Sequence, residues 1–196
     1  MIQSKYFLDI KKFMFTLLLF VLTACASSTS MTNYRDPDMD FSALRTIAVM
    51  PFENLTHEKL AADRVRDAFI NNLLSTGAIY VIPTGEVARG ILRSNIAIPS
   101  TPSTEEVGKL AVTVKADAVI TGVIREYGEV RSGSATANVI SLSMQMFDVQ
   151  SKKIVWTASS TKGGISMKDR LLGSGGHPMN DVTEMAINDI LNQLFQ

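Results

Sequence analysis

Two histidines, His57 and His177, and one cysteine, Cys25, are all that 196 residues offer of the side chains that most often carry nucleophilic or metal chemistry near neutral pH. Their spacing bounds what the protein can catalyse. No G-x-S-x-G elbow displays a serine, and a serine hydrolase would have to take its base from one of two histidines in loop-like sequence. A zinc site needs three or four ligands. His57 opens His57-Glu58-Lys59-Leu60, with no second histidine four residues on, and His177 has no partner at ligand spacing. Exposed loop histidine is the simpler reading of both. The run 173–178, GSGGHP, precedes a predicted helix, whose N-terminal amides attract anions. It lacks the Lys-Ser/Thr of a phosphate loop, follows no predicted strand directly, and Pro178 removes a donor, so it reads as a flexible loop. The thiol of Cys25 could be a nucleophile, a metal ligand or half of an intermolecular disulfide, and its neighbours decide among these.

Those neighbours have the layout of a targeting segment. Lys5, Lys11 and Lys12 supply a positive start, and residues 13–22 supply about ten largely apolar residues without a charge. A spanning helix needs roughly 20, so a signal peptide fits better than a transmembrane helix. Leu22-Thr23-Ala24-Cys25 resembles the lipobox of bacterial lipoproteins. The resemblance implies cleavage between Ala24 and Cys25, a diacylglyceryl group on the Cys25 sulfur and a third acyl chain on the new amino terminus. Two anchoring signals already hold a protein stably on a bilayer. Ala26 in place of Asp implies sorting to the outer membrane in a Gram-negative cell. The alternative is a cleaved secretory signal that leaves an ordinary free cysteine nearby.

Residues 1–24 are therefore read as a signal peptide and residues 25–43 as a lipidated N-terminus with a flexible tether. Residues 44–196 are read as a single periplasmic α/β domain. Removing residues 1–24 takes away three lysines and Asp9, leaving 16 basic and 18 acidic side chains, a net charge of about −2. That balance excludes the electrostatic footprint of a nucleic-acid binder. No cysteine remains for an internal disulfide, so the domain must stand on its core alone. Residues 26–43 are polar and without apolar periodicity. They would reach roughly 60 Å extended, or about 25 Å as a relaxed coil.

The elements follow from apolar period and punctuation. Arg45 to Phe52 reads as a strand buried on both faces, with Pro51 at its exit. Residues 57–75 carry an amphipathic helix stopped by Gly77, residues 78–83 a short strand, and Thr84 the N-cap of a helix to about Ser94. Ser103 and Glu106 form a capping box before Val107, Leu110, Ala111 and Val114. Residues 116–124 are a central strand in which Gly122 marks a close approach or a bulge. After a polar turn near residues 128–135, residues from Val139 alternate as a half-exposed strand, and Ile154, Trp156 and Ala158 open another. A glycine-rich loop, residues 163–177, leads to a helix from about Asp181 to Phe195. The order β-α-β-α-α-β-β-β-α predicts a mixed five-stranded sheet flanked by helices, with Met144, Met146 and Trp156 in its core.

Residues 47–56, IAVMPFENLT, then residues 105–124, EEVGKLAVTVKADAVITGVI, and the hairpin of residues 146–160 together resemble a group of envelope lipoproteins. The group includes CsgG, LpoB and the N-terminal domain of TolB. The resemblance covers about residues 44–195 and implies a domain that binds other envelope proteins, itself included, without catalysis, cofactor, metal or small-molecule substrate. It implies an outer-membrane-anchored accessory to an envelope assembly, secretion or appendage machine. CsgG inserts amphipathic hairpins to build a pore, whereas the turns here near residues 128–135 and 161–177 are short and polar or glycine-rich, which argues against a channel. The alternatives are LpoB-like activation of a peptidoglycan synthase, against which the 18-residue tether counts, and ligand binding or hydrolysis through residues 163–177.

Overall fold

Ile47 and Val49 turn to one side of a strand and Ala48 and Met50 to the other, all four fully buried, and this alternation divides the domain into two layers. The structure, a computed structural model, describes residues 33–133, 135–165 and 176–195. Residues 1–24, Cys25 and residues 26–32 lie outside the described residues. The strands are β1 (Tyr34–Arg35), β2 (Thr46–Val49), β3 (Glu53–Asn54), β4 (Tyr80–Val81), β5 (Ala118–Ser132), β6 (Ala135–Asp148) and β7 (Lys153–Gly163). The helices are α1 (Ala61–Ser75), α2 (Thr84–Arg93), α3 (Thr104–Val114) and α4 (Met179–Phe195).

The sheet runs β1-β7-β6-β5-β2-β4, with β3 also paired to β5. The β4, β2 and β5 strands are parallel and β5, β6, β7 and β1 antiparallel. This is the expected mixed sheet, with the five predicted strands joined by two short ones, β1 and β3. Between Val49 and Glu53 the chain advances four residues while its partner advances three, from Ile120 to Val123. Pro51, which cannot donate to a ladder, occupies that break, and Phe52 drops its ring onto Gly122. A Cβ at Gly122 would lie 2.8 Å from the Phe52 ring, so the close approach read from sequence is real.

Helices α1 and α4 cover one face, burying Phe69, Leu73, Ile187 and Ile190 against Ile140, Leu142, Met144, Met146 and Trp156. Helices α2 and α3 cover the other face at the β4, β2 and β5 end, where Val87, Ile91, Val107 and Leu110 meet Ala48, Met50, Val119 and Phe147. The α3 start is the predicted capping box. Ser103 Oγ accepts from Glu106 N at 3.3 Å and Glu106 Oε2 accepts from Ser103 N at 2.8 Å.

Four expectations are corrected. Residues 34–43 are not tether: β1 pairs with β7, and Met39 and Phe41 pack against the larger core. Helix α1 begins at Ala61 rather than residue 57, because Asn54 Nδ2 donates to the Glu58 and Lys59 carbonyls and holds that stretch as a loop. Thr84 is the first residue of α2 and not its cap, a position taken by Pro83. Residues 128–132 continue β5, so the polar turn starts only at Gly133 and β6 begins at Ala135.

Candidate protein-interaction site

Of the residues singled out for chemistry, His57 and His177 fall among those described. Cys25 lies outside the described residues, as do residues 166–175 of the glycine-rich loop. His57 is exposed ahead of α1. His177 is exposed ahead of α4, where its backbone carbonyl, and not its ring, accepts from Asn138 Nδ2 at 2.9 Å. Among the described residues no three His, Cys, Asp or Glu side chains converge as a metal site would require. Arg66 is a half-buried cation: burial lowers its pKa, Nη2 donates to the Val49 carbonyl at 2.6 Å, and its buried Nε has no hydrogen-bond partner. It ties α1 to the end of β2.

Three concave surfaces stand out among the described residues. A hollow of ≈ 360 Å³ lies at the root of the N-terminal segment, where the Arg35 guanidinium donates to the Leu194 carbonyl and sits 3.8 Å over the Phe41 ring centroid. Arg35 is thereby spent on holding residues 34–41 to the end of α4. A second hollow, of ≈ 620 Å³, gathers Asp38, Asp40, Asp117 and Asp148. Three of these carboxylates already serve the backbone. Asp40 caps Ser42 N, Asp117 Oδ2 accepts from Arg45 N and Thr46 N at 3.0 and 2.9 Å, and Asp148 Oδ2 accepts from Ser151 N at 2.6 Å. The two hydrogen bonds from Ser42 hold the Asp40 carboxyl below the usual carboxylate range. These acids fasten loops.

The third is a groove of ≈ 770 Å³ between α3 and the turn that joins β6 to β7. Thr104, Gly108 and Val112 follow one another at four-residue steps along α3 and form one wall. Phe147 and Val149 form the floor, and Arg93, Lys109 and Lys152 stand at the rim. Lys109 is paired with Glu105 at 2.8 Å. The pair lowers the Glu105 pKa and raises that of Lys109, and its exposure leaves it screened and of little energetic weight. Arg93 and Lys152 are exposed and have no ion pair among the described residues. Sequence reasoning missed this groove because its walls come from residues 93, 108, 147 and 152, which no local pattern joins.

Known proteins place the fold. The family model of the peptidoglycan-synthase activator LpoB matches residues 23–161. No curated protein sequence matches the chain. PelC from Paraburkholderia phytofirmans, solved as a dodecamer, is 17% identical and superposes with a TM-score of 0.55, covering 84% of this chain and 96% of its own. Lipoprotein GNA1162 from Neisseria meningitidis is 18% identical with a TM-score of 0.55, covering 77% of this chain and 98% of its own. The LpoB C-terminal domain from Escherichia coli, 18% identical, covers 66% of this chain and 88% of its own with a TM-score of 0.47.

Proposed function

The chain belongs to the family of the peptidoglycan-synthase activator LpoB, and from that membership we propose that it is a non-catalytic lipoprotein that activates a peptidoglycan synthase by binding it. The observation that carries this reading is the extent of the match, which starts at Thr23, within the lipobox-like stretch, and runs through the sheet to Thr161. It sets synthase activation, the second choice from sequence, ahead of a general role in secretion or appendage assembly. In this reading residues 1–24 are removed, Cys25 carries the lipid, and the domain faces the periplasm from the outer membrane. Among the described residues no helix is long and apolar enough to cross a membrane.

The docking of residues 34–43 tightens the geometry. Only residues 26–33 separate Cys25 from β1, and eight residues at 3.3–3.6 Å each span at most about 29 Å. In this reading the start of β1 lies within about 3 nm of the membrane that holds the lipid, and the synthase must reach the domain that begins there.

The direct test measures glycan polymerisation by a purified peptidoglycan synthase of the same organism, with and without residues 26–196 of this chain. A several-fold rise in rate is expected. No rise with any of that organism's synthases would overturn the reading. In cells, Cys25→Ser should move the protein out of the membrane fraction, and an unchanged fraction would remove the anchor from the proposal.

A further inference from the structure

We propose that the groove between α3 and the β6–β7 turn receives an acidic segment of a protein partner. The segment would insert an apolar side chain over Phe147 and Val149 and set its carboxylates against Arg93 and Lys152. This deepens the reading of the protein as an activator that works by binding, and rests on it.

The clearest sign is a glycine. Gly108 sits in the interior of α3, where glycine is a poor helix former, and a Cβ built on it would meet nothing within 4 Å. The fold does not need the missing side chain. Gly90 on α2 is the contrast, since a Cβ there would lie 2.3 Å from Val114 Cγ1 and 2.9 Å from Leu110 Cδ1. Gly90 lets two helices of this domain touch, whereas Gly108 opens the groove and lets the backbone of something else come close.

The rim says what that something carries. Arg93 and Lys152 present two cations with no acidic partner among the described residues, and Lys109 adds a third whose charge Glu105 balances. The lining is therefore net positive in a chain whose mature part is slightly acidic, and carboxylates complement it. The wall and floor supply the apolar half. Val112 is 73% exposed, and with Leu92 at 79% and Ile98 at 62% it belongs to the three most exposed large apolar side chains described, all on the α2–α3 unit. A bilayer surface is flat and would meet a protruding basic patch. A concave groove with an apolar floor suits an inserted side chain, as at protein interfaces.

The test uses the soluble chain and three probes: a short labelled peptide with a phenylalanine flanked by glutamates, its counterpart with lysines for glutamates, and phosphatidylglycerol vesicles. Wild type should bind the acidic peptide, more weakly as salt rises, and R93E/K152E should lose at least about tenfold in affinity. The lysine peptide should gain on that double variant. Gly108→Ala should raise Tm by about 2–4 °C while weakening peptide binding several-fold. That pairing separates a lost site from a damaged fold. The proposal is overturned if wild type fails to bind the acidic peptide, if R93E/K152E binds it as well as wild type, or if only the vesicles bind. Synthase stimulation then tells the two readings apart. Undiminished stimulation by R93E/K152E sinks the groove and keeps the activator, whereas peptide binding at the groove without any stimulation does the reverse.

Discussion

On one face of the sheet α1, which contributes Phe69, and α4 close over Trp156, Met144 and Met146, and none of these four side chains retains accessible surface. On the other face α2 and α3 cover only the parallel strands and Phe147, and the hydroxyl side chains of Ser141, Ser143 and Thr157 farther along β6 and β7 are half-buried. The first layer is also pinned by polar contacts. Trp156 Nε1 donates to the Gln193 carbonyl at 3.3 Å, Ser160 Oγ to Asp189 Oδ2 at 2.6 Å, and Lys162 pairs with Asp189 at 3.0 Å. The second layer, beside its own buried core, carries exposed apolar and basic side chains on its outer surface, among them Leu92, Ile98, Val112, Arg93 and Lys152. Stability and recognition are thus assigned to opposite faces, so a change to the second can alter binding without unfolding the first.

The division is broken most severely at Trp156. Trp156→Ala removes the largest fully buried side chain and its hydrogen bond, and is expected to cost about 3–5 kcal/mol, read from urea unfolding. A loss within the ±0.5 kcal/mol of an ordinary surface change would mean that the α1–α4 layer does not carry the fold.

The next largest effect tests the thin layer from within. Gly90→Ala places a methyl into Val114 and Leu110, and overpacking of this kind costs about 1–3 kcal/mol against a helix-propensity gain of about 1. Thermal unfolding should show Gly90→Ala at or below wild type and Gly108→Ala above it. Two glycines on adjoining helices would then respond to one substitution with opposite signs. Equal shifts would remove the distinction between a glycine kept for packing and one kept for a partner.

What the chain discloses of this arrangement follows from which forces are local. The Ser103–Glu106 box, the stop at Gly77 and the apolar alternation of Ile140, Leu142, Met144 and Met146 are written in neighbouring residues, and each appears where expected. Residues 34–43 are polar enough to pass for tether, yet the β1 pairing is a backbone contact with Thr157 and Trp156, more than 100 residues away. Ile154 is 42% exposed although it keeps step with Trp156, because the register shifts between Met146 and Phe147 and Val155 turns inward instead. The outer half of β5 is charged and carries Gly128, so it reads as a turn. Its ladder with β6 needs only backbone groups. The groove is hidden for the same reason, since residues 93 and 152 come to line it only after α3, β5 and β6 between them have been placed.

The smallest expected effect lies at the start of the helix that forms the groove wall. Ser103→Ala removes one half of the capping box and should cost about 1 kcal/mol at neutral pH. The other half is titratable. The backbone and side chain of Ser103 hold the Glu106 carboxyl below its ordinary range in the folded protein. A carboxylate whose folded pKa is depressed stabilises the fold at pH above its unfolded value, and that contribution disappears as pH falls through the folded value. The stability difference between wild type and Glu106→Gln should therefore be steady near neutrality and shrink through the acidic carboxylate range. The effect is small, because Glu106 stands at an open helix end where water competes for both hydrogen bonds. Its place is what matters: fraying at Ser103 would loosen Thr104 and Glu105 before it reached Gly108. A peptide that binds the groove should accordingly lose affinity in Ser103→Ala by less than in R93E/K152E, and a loss as large as that of the charge reversal would show that the wall, rather than the rim, dominates recognition.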